Sequence, residues 1–120
     1  MPAISFSVFK EQLLSQKKTQ TIRQRRKHPI QVGDLLQIYW KQRSPTESQK
    51  LFNAKCTAKD SIVIQSSSRQ IVINESQLSE QEAIVLATAD GFDNLDDFFK
   101  FFGDRYGDSF DGDLIHFQKV

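Results

Sequence analysis

The pattern of hydrophobic and polar positions predicts a fold that mixes strands with short helices. Ile4, Phe6 and Val8 alternate with serines, which is typical of a half-buried strand. Residues 9–15 include several good helix formers and predict a short helix. A sustained alternation over residues 36–43 predicts a strand with one apolar and one polar side. The first third of the chain therefore combines strands with one early helix.

The pattern of strands continues through the middle of the chain. Alternation over residues 52–58, followed by apolar runs at 62–64 and 71–73, predicts a strand and a hairpin around a serine-rich loop. Cys56 falls on the apolar side of the first of these strands, so we expect it to be a core residue rather than a reactive thiol.

Two helices are predicted late in the chain. The first spans residues 79–89, opening on the Ser-x-x-Glu pattern of a capping box. The second starts near Asp93 or Asn94, and its phenylalanine stripe is interpreted as core packing. Asp111-Gly112 predicts a turn before a final strand over residues 114–119.

These elements predict a single α+β domain over residues 1–120. We expect a small β-barrel of about five to six strands, with one early helix and two late flanking helices. A chain of 120 residues, 38% of them hydrophobic, suits one domain with an ordinary core. The apolar runs are far too short to span a membrane, and a single cysteine agrees with a reducing compartment. We therefore expect a cytoplasmic protein. Its oligomeric state stays open, and a monomer is compatible with the sequence.

Charge is distributed unevenly along the chain. Residues 1–60 contain twelve Lys or Arg against four Asp or Glu, a net charge of +8, whereas residues 61–120 contain four against eleven, a net charge of −7. The near-neutral total therefore hides a large difference in charge between the two halves, which makes the molecule dipolar. Such a molecule can attract an anion to one side without binding polyanions generally.

The basic segment 17–27 concentrates this charge and is the first candidate for a working surface. It has six basic side chains, two threonines and no acidic residue, and it lacks the glycines of a phosphate-binding loop. In an extended conformation, Thr19, Thr21, Arg23 and Arg25 share one face. Two interpretations stay open: a solvated basic strand, or a surface on which side chains bind an anion.

A second candidate surface lies on the polar side of the strand at 36–43. Tyr39 is followed there by Lys41 and Arg43, an arrangement on which a base could stack while its phosphates are neutralised. An ordinary outer strand face explains the same pattern equally well. His28 and His116 are far apart and accompany only one cysteine, so we expect no metal and no cofactor.

The order of motifs along almost the whole chain resembles the ASCH domain. These motifs are Lys18-Thr19-Gln20-Thr21-Ile22-Arg23, then Val32-Gly33-Asp34 before a Tyr/Trp strand, and Asp90-Gly91-Phe92 before a Phe-rich helix. The resemblance implies a β-barrel of the PUA-like superfamily, which is associated with RNA and modified bases. It also relates the chain to the N4-acetylcytidine amidohydrolase family.

The resemblance implies roles for individual side chains. Lys18 corresponds to a proton acceptor, Thr21 to a nucleophile, and Asp90 to a proton donor at a position where the hydrolases are expected to have Glu. Arg23 would hold the substrate, with Thr19 and Tyr39 as further substrate contacts.

Three functions stay open on the sequence. The leading one is binding of RNA, a nucleoside or a nucleotide in a basic cleft. The second is an amidohydrolase that deacylates N4-acetylcytidine or a related amide, and the third is an accessory protein that docks an acidic protein partner. The side chains expected to contact nucleic acid are Lys17, Arg25, Arg26, Lys27, Lys41 and Arg43.

Overall fold

Seven strands in one mixed sheet and three helices form the fold, in a computed structural model that describes all 120 residues. The strands are β1 (Ala3–Phe6), β2 (Gln20–Gln24), β3 (Leu35–Trp40), β4 (Gln49–Gln65), β5 (Gln70–Ile73), β6 (Ser76–Gln77) and β7 (Ser109–Lys119). The helices are α1 (Lys10–Leu14), α2 (Glu80–Ala89) and α3 (Leu95–Tyr106).

The long strand β4 organises the sheet. Its first half pairs antiparallel with β3 and its second half with β5, while β7 pairs with it from residue 54 to residue 65. Strand β2 adds to β7, and the short β1 adds to β3 in parallel. Strands β1, β2 and β6 are therefore the edge strands of this branched sheet, since each pairs with a single neighbour.

The closed barrel expected from the sequence is not confirmed, because the sheet is open and has seven strands instead of five or six. Strand β1 pairs with β3 alone and β2 with β7 alone, so no backbone ladder joins β1 to β2. Side chains cross this β1–β2 gap instead. The guanidinium carbon of Arg23 lies 4.6 Å from the centre of the Phe6 ring, and Arg26 Nη2 donates to the carbonyl of Ala3. The gap is the structural feature that positions the site described below.

Two apolar clusters fill the fold. One lies between the first half of the sheet and α1, and it includes Cys56, which is fully buried as expected. The other lies beneath α2 and α3, where the predicted phenylalanine stripe is confirmed as core. Its buried phenylalanines are Phe98, Phe99, Phe102 and Phe110. The two clusters meet along β4 and β7.

The predicted helix signals are confirmed. Ser79 caps α2 in a full capping box, since its hydroxyl accepts from the Glu82 amide at 3.2 Å and the Glu82 carboxylate accepts from the Ser79 amide at 2.9 Å. Asn94 caps α3 by accepting from the Asp97 amide at 2.8 Å. None of the three helices has the length and apolar character required to cross a membrane.

The turn predicted at Asp111-Gly112 is wrong, because β7 runs straight through both residues. Gly112 serves close packing within the strand. A Cβ atom added there would collide with the backbone carbonyl oxygen of Arg23 and would lie 2.7 Å from the Phe110 ring. The glycine therefore allows β2 and an aromatic ring to approach β7 at this point.

Candidate functional site

A small polar pocket of about 80 Å³ opens at the β1–β2 gap. Its walls come from β1 and the segment after it, from β2, from the end of α2 and from α3. Its polar lining consists of Ser5, Ser7, Lys18, Thr21, Arg23, Asp90, Arg105 and Tyr106, and most of its apolar lining is aromatic. The polar pocket thus collects residues that are as much as 101 positions apart in the chain.

A buried ion pair forms the floor of the polar pocket. Lys18 and Asp90 are only 3% and 5% exposed, and Lys18 Nζ donates to Asp90 Oδ1 at 3.0 Å and to the Asp90 carbonyl at 2.5 Å. Two elements fix this geometry. The amide of Lys18 donates to the Gln12 carbonyl, which anchors the turn before β2, and Asp90 is the C-terminal capping residue of α2. Lys18 and Asp90, which the resemblance assigned to one site, therefore form a direct ion pair.

Thr21 and Arg23 enter the polar pocket from β2. Arg23 Nε donates to Thr21 Oγ1 at 2.8 Å, which places the hydroxyl and the guanidinium side by side as the strand pattern predicted. Lys18 Nζ makes no hydrogen bond to Thr21; both of its hydrogen bonds go to Asp90. In this conformation the threonine hydroxyl is thus oriented by Arg23 and not by the lysine.

Aromatic rings form the opposite wall. Lys18 Nζ lies 5.3 Å from the centre of the Phe9 ring and 5.8 Å from that of Phe6, distances at which a cation is attracted to the ring face. Phe92 meets Phe9 edge to face at 5.3 Å. Gly91 makes room for this wall, because a Cβ atom there would lie 2.9 Å from the Phe9 ring. The polar pocket is thus polar on one side and aromatic on the other.

Burial dominates the ionisation of the pair. Removal from water lowers the pKa of Lys18 and raises the pKa of Asp90, and the attraction between the two charges opposes both shifts. Burial is also the main reason why the pKa of Arg23 is lowered; the attraction of Asp90 opposes this shift, and the nearby charges of Arg26 and Arg105 add a little to it. Burial therefore favours the neutral forms of Lys18 and Asp90 over their charged forms. Shifted pKa values of this kind are common at functional sites.

These shifts predict how the pair affects stability across the pH range. Asp90 has a raised pKa, so its stabilising contribution is present below its ordinary value of 3.8 and is lost as pH rises through the folded-state value. Lys18 has a lowered pKa, so its contribution is present above 10.5 and is lost as pH falls through the folded-state value. We expect the pair to contribute least to the free energy of unfolding near neutral pH. Urea unfolding from pH 4 to 10, compared with a variant in which both residues are apolar, would show the difference as a minimum near neutrality; a maximum there would contradict the assigned shifts.

Part of the predicted nucleic-acid surface assembles next to the polar pocket. Arg26, Lys41 and Arg43 line one groove of about 560 Å³, together with Arg23 and a row of small polar residues from β1 and the loop after β3. No acidic residue lines it. Since Arg23 belongs to both cavities, this basic groove continues directly from the polar pocket.

Arg25 is placed differently from the other predicted basic residues. Its guanidinium forms ion pairs with Asp111 at 2.7 Å and with Asp113 at 3.7 Å, and it donates to the Ser61 hydroxyl. These acidic partners come from β7, which lies beside β2. The charge of Arg25 is therefore neutralised within the protein.

The remaining predicted side chains lie outside the polar pocket and the basic groove. Lys17, Thr19 and Lys27 are exposed, and Tyr39 is half-buried on β3, where its hydroxyl donates to the Gln37 side chain at 3.4 Å. None of the four lines the polar pocket or the basic groove. The structure thus concentrates the candidate site on fewer residues than the sequence proposed.

The structure also adds residues that the sequence did not single out. Arg105 lines the mouth of the polar pocket, with its guanidinium 4.7 Å from the Phe101 ring. Its signal in the sequence is that it is one of only four basic residues in the acidic second half. Phe9 has a left-handed backbone with φ of 66°, which is uncommon outside glycine and marks a constrained segment. This constraint was not visible in the hydrophobic pattern.

Histidine, cysteine and acidic side chains form no group of three or more that could hold a metal ion. In comparisons with known proteins, the chain matches no protein-family model, no curated protein and no solved structure. Membership of the ASCH family therefore stays a prediction, and the geometry of the site is what points to a function.

Proposed function

We propose that the chain binds a nucleoside or nucleotide with its base in the polar pocket. The observation that supports this most strongly is the buried Lys18–Asp90 pair. A buried ion pair usually contributes little net stability, because removing two charges from water offsets their attraction. Such a pair at an opening, beside a hydroxyl and a guanidinium, is better explained by a ligand than by folding.

The two sides of the polar pocket match the two chemical aspects of a nucleobase. Phe6, Phe9 and Phe92 offer ring faces or edges to an aromatic heterocycle, which can contribute about 1–3 kcal/mol per stacked base. Asp90 accepts hydrogen bonds, Lys18 donates them, and the Thr21 hydroxyl does both. Together these groups can address the donors and acceptors along the edge of a base.

Binding requires the polar pocket to widen. Its volume of about 80 Å³ lies well below the roughly 300–1,000 Å³ of ordinary ligand sites. The wall formed by residues 7–9 is suited to this movement, because it joins β1 to α1 without ladder hydrogen bonds and ends at the left-handed Phe9. Movement of this short segment would open the pocket by separating Phe9 from Phe92.

The proposal is tested by titrating N4-acetylcytidine into the protein and into a Thr21→Val variant. Valine keeps the shape of threonine but removes the hydroxyl and the acceptor of Arg23 Nε, so we expect affinity to fall about tenfold. Thr57→Val is the matched control, because Thr57 is exposed on β4 and lies away from the polar pocket. Equal weakening of affinity by both substitutions, or an affinity that Thr21→Val leaves unchanged, would contradict binding in the polar pocket.

Hydrolysis of an acylated base is a second candidate, favoured by the presence of Lys18 and Thr21 in one pocket and by the lowered pKa of the lysine. A neutral Lys18 could take the Thr21 proton while Thr21 Oγ1 attacks the acetyl carbonyl. The bond between the acetyl carbon and N4 of the base then breaks, and a protonated Asp90 donates the proton with which N4 leaves as the amine of cytidine. Water then cleaves the threonine ester and releases acetate. The step requires Lys18 to turn from Asp90 toward Thr21. Cytidine and acetate formed by the protein but not by Thr21→Val would support it; intact N4-acetylcytidine would leave binding alone.

The third function, docking of an acidic protein partner, gains no support from a particular contact. Arg25 already has the acidic partners Asp111 and Asp113 from its own chain. Arg26, Lys41 and Arg43 line the basic groove that continues from the polar pocket, whereas Lys17 and Lys27 are exposed outside it.

A further inference from the structure

Three arginines surround the mouth of the polar pocket. Arg23 and Arg105 line the polar pocket together, and Arg23 and Arg26 line the basic groove together. Arg23 comes from β2, Arg26 from the turn after it, and Arg105 from the last turn of α3. The fold therefore gathers cations from both charge halves of the sequence around one opening.

Arg23 lacks an anionic partner although most of its surface is covered. Its Nε donates to Thr21 and its guanidinium packs on Phe6, but neither terminal nitrogen has a hydrogen-bond acceptor and no carboxylate lies within 4.0 Å. The only carboxylate that lines the polar pocket, Asp90, is bound to Lys18. The two terminal nitrogens of Arg23 are not fully buried, so they stay accessible and can donate to an anionic ligand.

Arg105 is also free of partners within the protein. It packs on Phe101 but forms no ion pair and donates no hydrogen bond. Its charge and that of Arg26 each act to lower the pKa of Arg23, whereas the attraction of Asp90 acts against them, so Arg23 is repelled by both neighbouring cations. An anion at this point would remove the repulsion and use the vacant donors of two planar guanidinium groups.

We infer that the mouth of the polar pocket is a phosphate site, in which Arg23 and Arg105 bind a phosphate group carried by the nucleoside. This inference rests on the proposed function and narrows it from nucleosides in general to phosphorylated ones. The hydroxyls of Ser5 and Ser7, which line both cavities, offer neutral donors beside the phosphate. The basic groove beyond Arg23, with Arg26 and Arg43, lies where a following phosphate of a strand would run.

The test compares N4-acetylcytidine with its 3′- and 5′-monophosphates in calorimetric titrations of the protein and of Arg105→Gln. We expect at least one monophosphate to bind about tenfold more tightly than the nucleoside, and Arg105→Gln to remove most of that gain. The gain is measured within each protein as the ratio of monophosphate to nucleoside affinity, so a general loss of binding does not count. Arg69→Gln is the matched control. Arg69 also packs on a phenylalanine of α3, 5.1 Å from the Phe99 ring, but it is paired with Asp96 at 2.7 Å and lies outside both cavities.

The outcomes separate this inference from the proposed function. Equal affinity for nucleoside and monophosphates, or no effect of Arg105→Gln on the difference, would overturn the phosphate site and leave the nucleoside pocket intact. Binding of neither ligand would overturn both. The expected pattern, a gain that depends on Arg105 and not on Arg69, would establish the phosphate site.

A short single-stranded oligocytidylate distinguishes the two sources of such a phosphate. Tighter binding than the monophosphates, with a further loss in Arg43→Gln, would assign the site to a phosphodiester of a strand. Equal or weaker binding would assign it to a free nucleotide. Affinity in either case should fall as salt rises, because Arg105 is exposed and salt screens its attraction to the phosphate.

Discussion

Replacing Lys18 with methionine is expected to lower the free energy of unfolding by about 3–5 kcal/mol. The substitution leaves the Asp90 carboxylate buried and without its cation, and it also removes the donor that satisfies the Asp90 carbonyl. Urea unfolding followed by circular dichroism at neutral pH measures the change. Lys41→Met is the matched control, because Lys41 pairs with Glu47 at a comparable 3.1 Å but near the surface, where the loss should stay within about 1 kcal/mol.

The double variant Lys18→Met/Asp90→Leu decides what the pair is for. If the pair serves a ligand, two apolar side chains of similar size should pack against Phe6 and Phe9 and restore stability to within about 1 kcal/mol of the original protein or above it. A double variant as unstable as the single one would mean that the fold itself needs the pair. That result would remove the main physical reason for placing the site here.

Substituting alanine for Gly112 is expected to destabilise the protein by about 2–3 kcal/mol or more. The added methyl group would meet a rigid backbone carbonyl of β2 and the Cζ and Cε2 atoms of the buried Phe110 ring, and neither can move away as the end of a flexible side chain could. Since β2 carries Thr21 and Arg23, a shift of β2 away from β7 should also weaken ligand binding. Urea unfolding and the N4-acetylcytidine titration measure the two effects on the same sample.

Gly103→Ala provides the control for this substitution. Gly103 lies within α3, and an added Cβ would meet only the Ser66 side chain, with its nearest atom at 3.3 Å. Alanine also favours a helix over glycine by about 1 kcal/mol, which offsets a small steric cost. We therefore expect little net change. Equal destabilisation by both substitutions would show that the close approach of β2 to Gly112 is not the cause.

Local signals in the sequence predicted local structure well. The Ser-x-x-Glu pattern at Ser79 and the amide side chain of Asn94 identify the starts of α2 and α3, because helix caps depend on residues three positions apart. The Asp-Gly pattern at Gly112 led to a wrong turn prediction because it, too, is a purely local signal. Asp-Gly is a strong turn signal by itself, and the strand that requires a glycine there lies almost 90 residues earlier in the chain.

The candidate site was predictable in its central residues, but neither its contacts nor the presence of Arg105 could be predicted. The family resemblance placed Lys18, Thr21 and Asp90 together, and the structure gathers them in one pocket. Which groups bond to which depends on side-chain direction and burial, so the Arg23–Thr21 hydrogen bond could not be predicted from spacing. The neutralisation of Arg25 follows from the pairing of β2 with β7, which no local pattern encodes.

Whether the sheet closes into a barrel also could not be predicted from the sequence. Alternation identifies strands, but it does not say whether the first and last strands of a curved sheet will pair. Here the guanidinium of Arg23 on Phe6 and the bond from Arg26 to Ala3 occupy the place of a backbone ladder. The opening left between β1 and β2 is what gives the polar pocket its entrance.

The central claim is that the polar pocket at the β1–β2 gap binds a nucleoside through the Lys18–Asp90 pair. Calorimetric titration of N4-acetylcytidine into the original protein and into Lys18→Met/Asp90→Leu tests it most directly, once unfolding experiments show that the variant is folded. We predict measurable binding to the original protein and a loss of at least about tenfold in the variant. Equal affinity for the two proteins would contradict the claim.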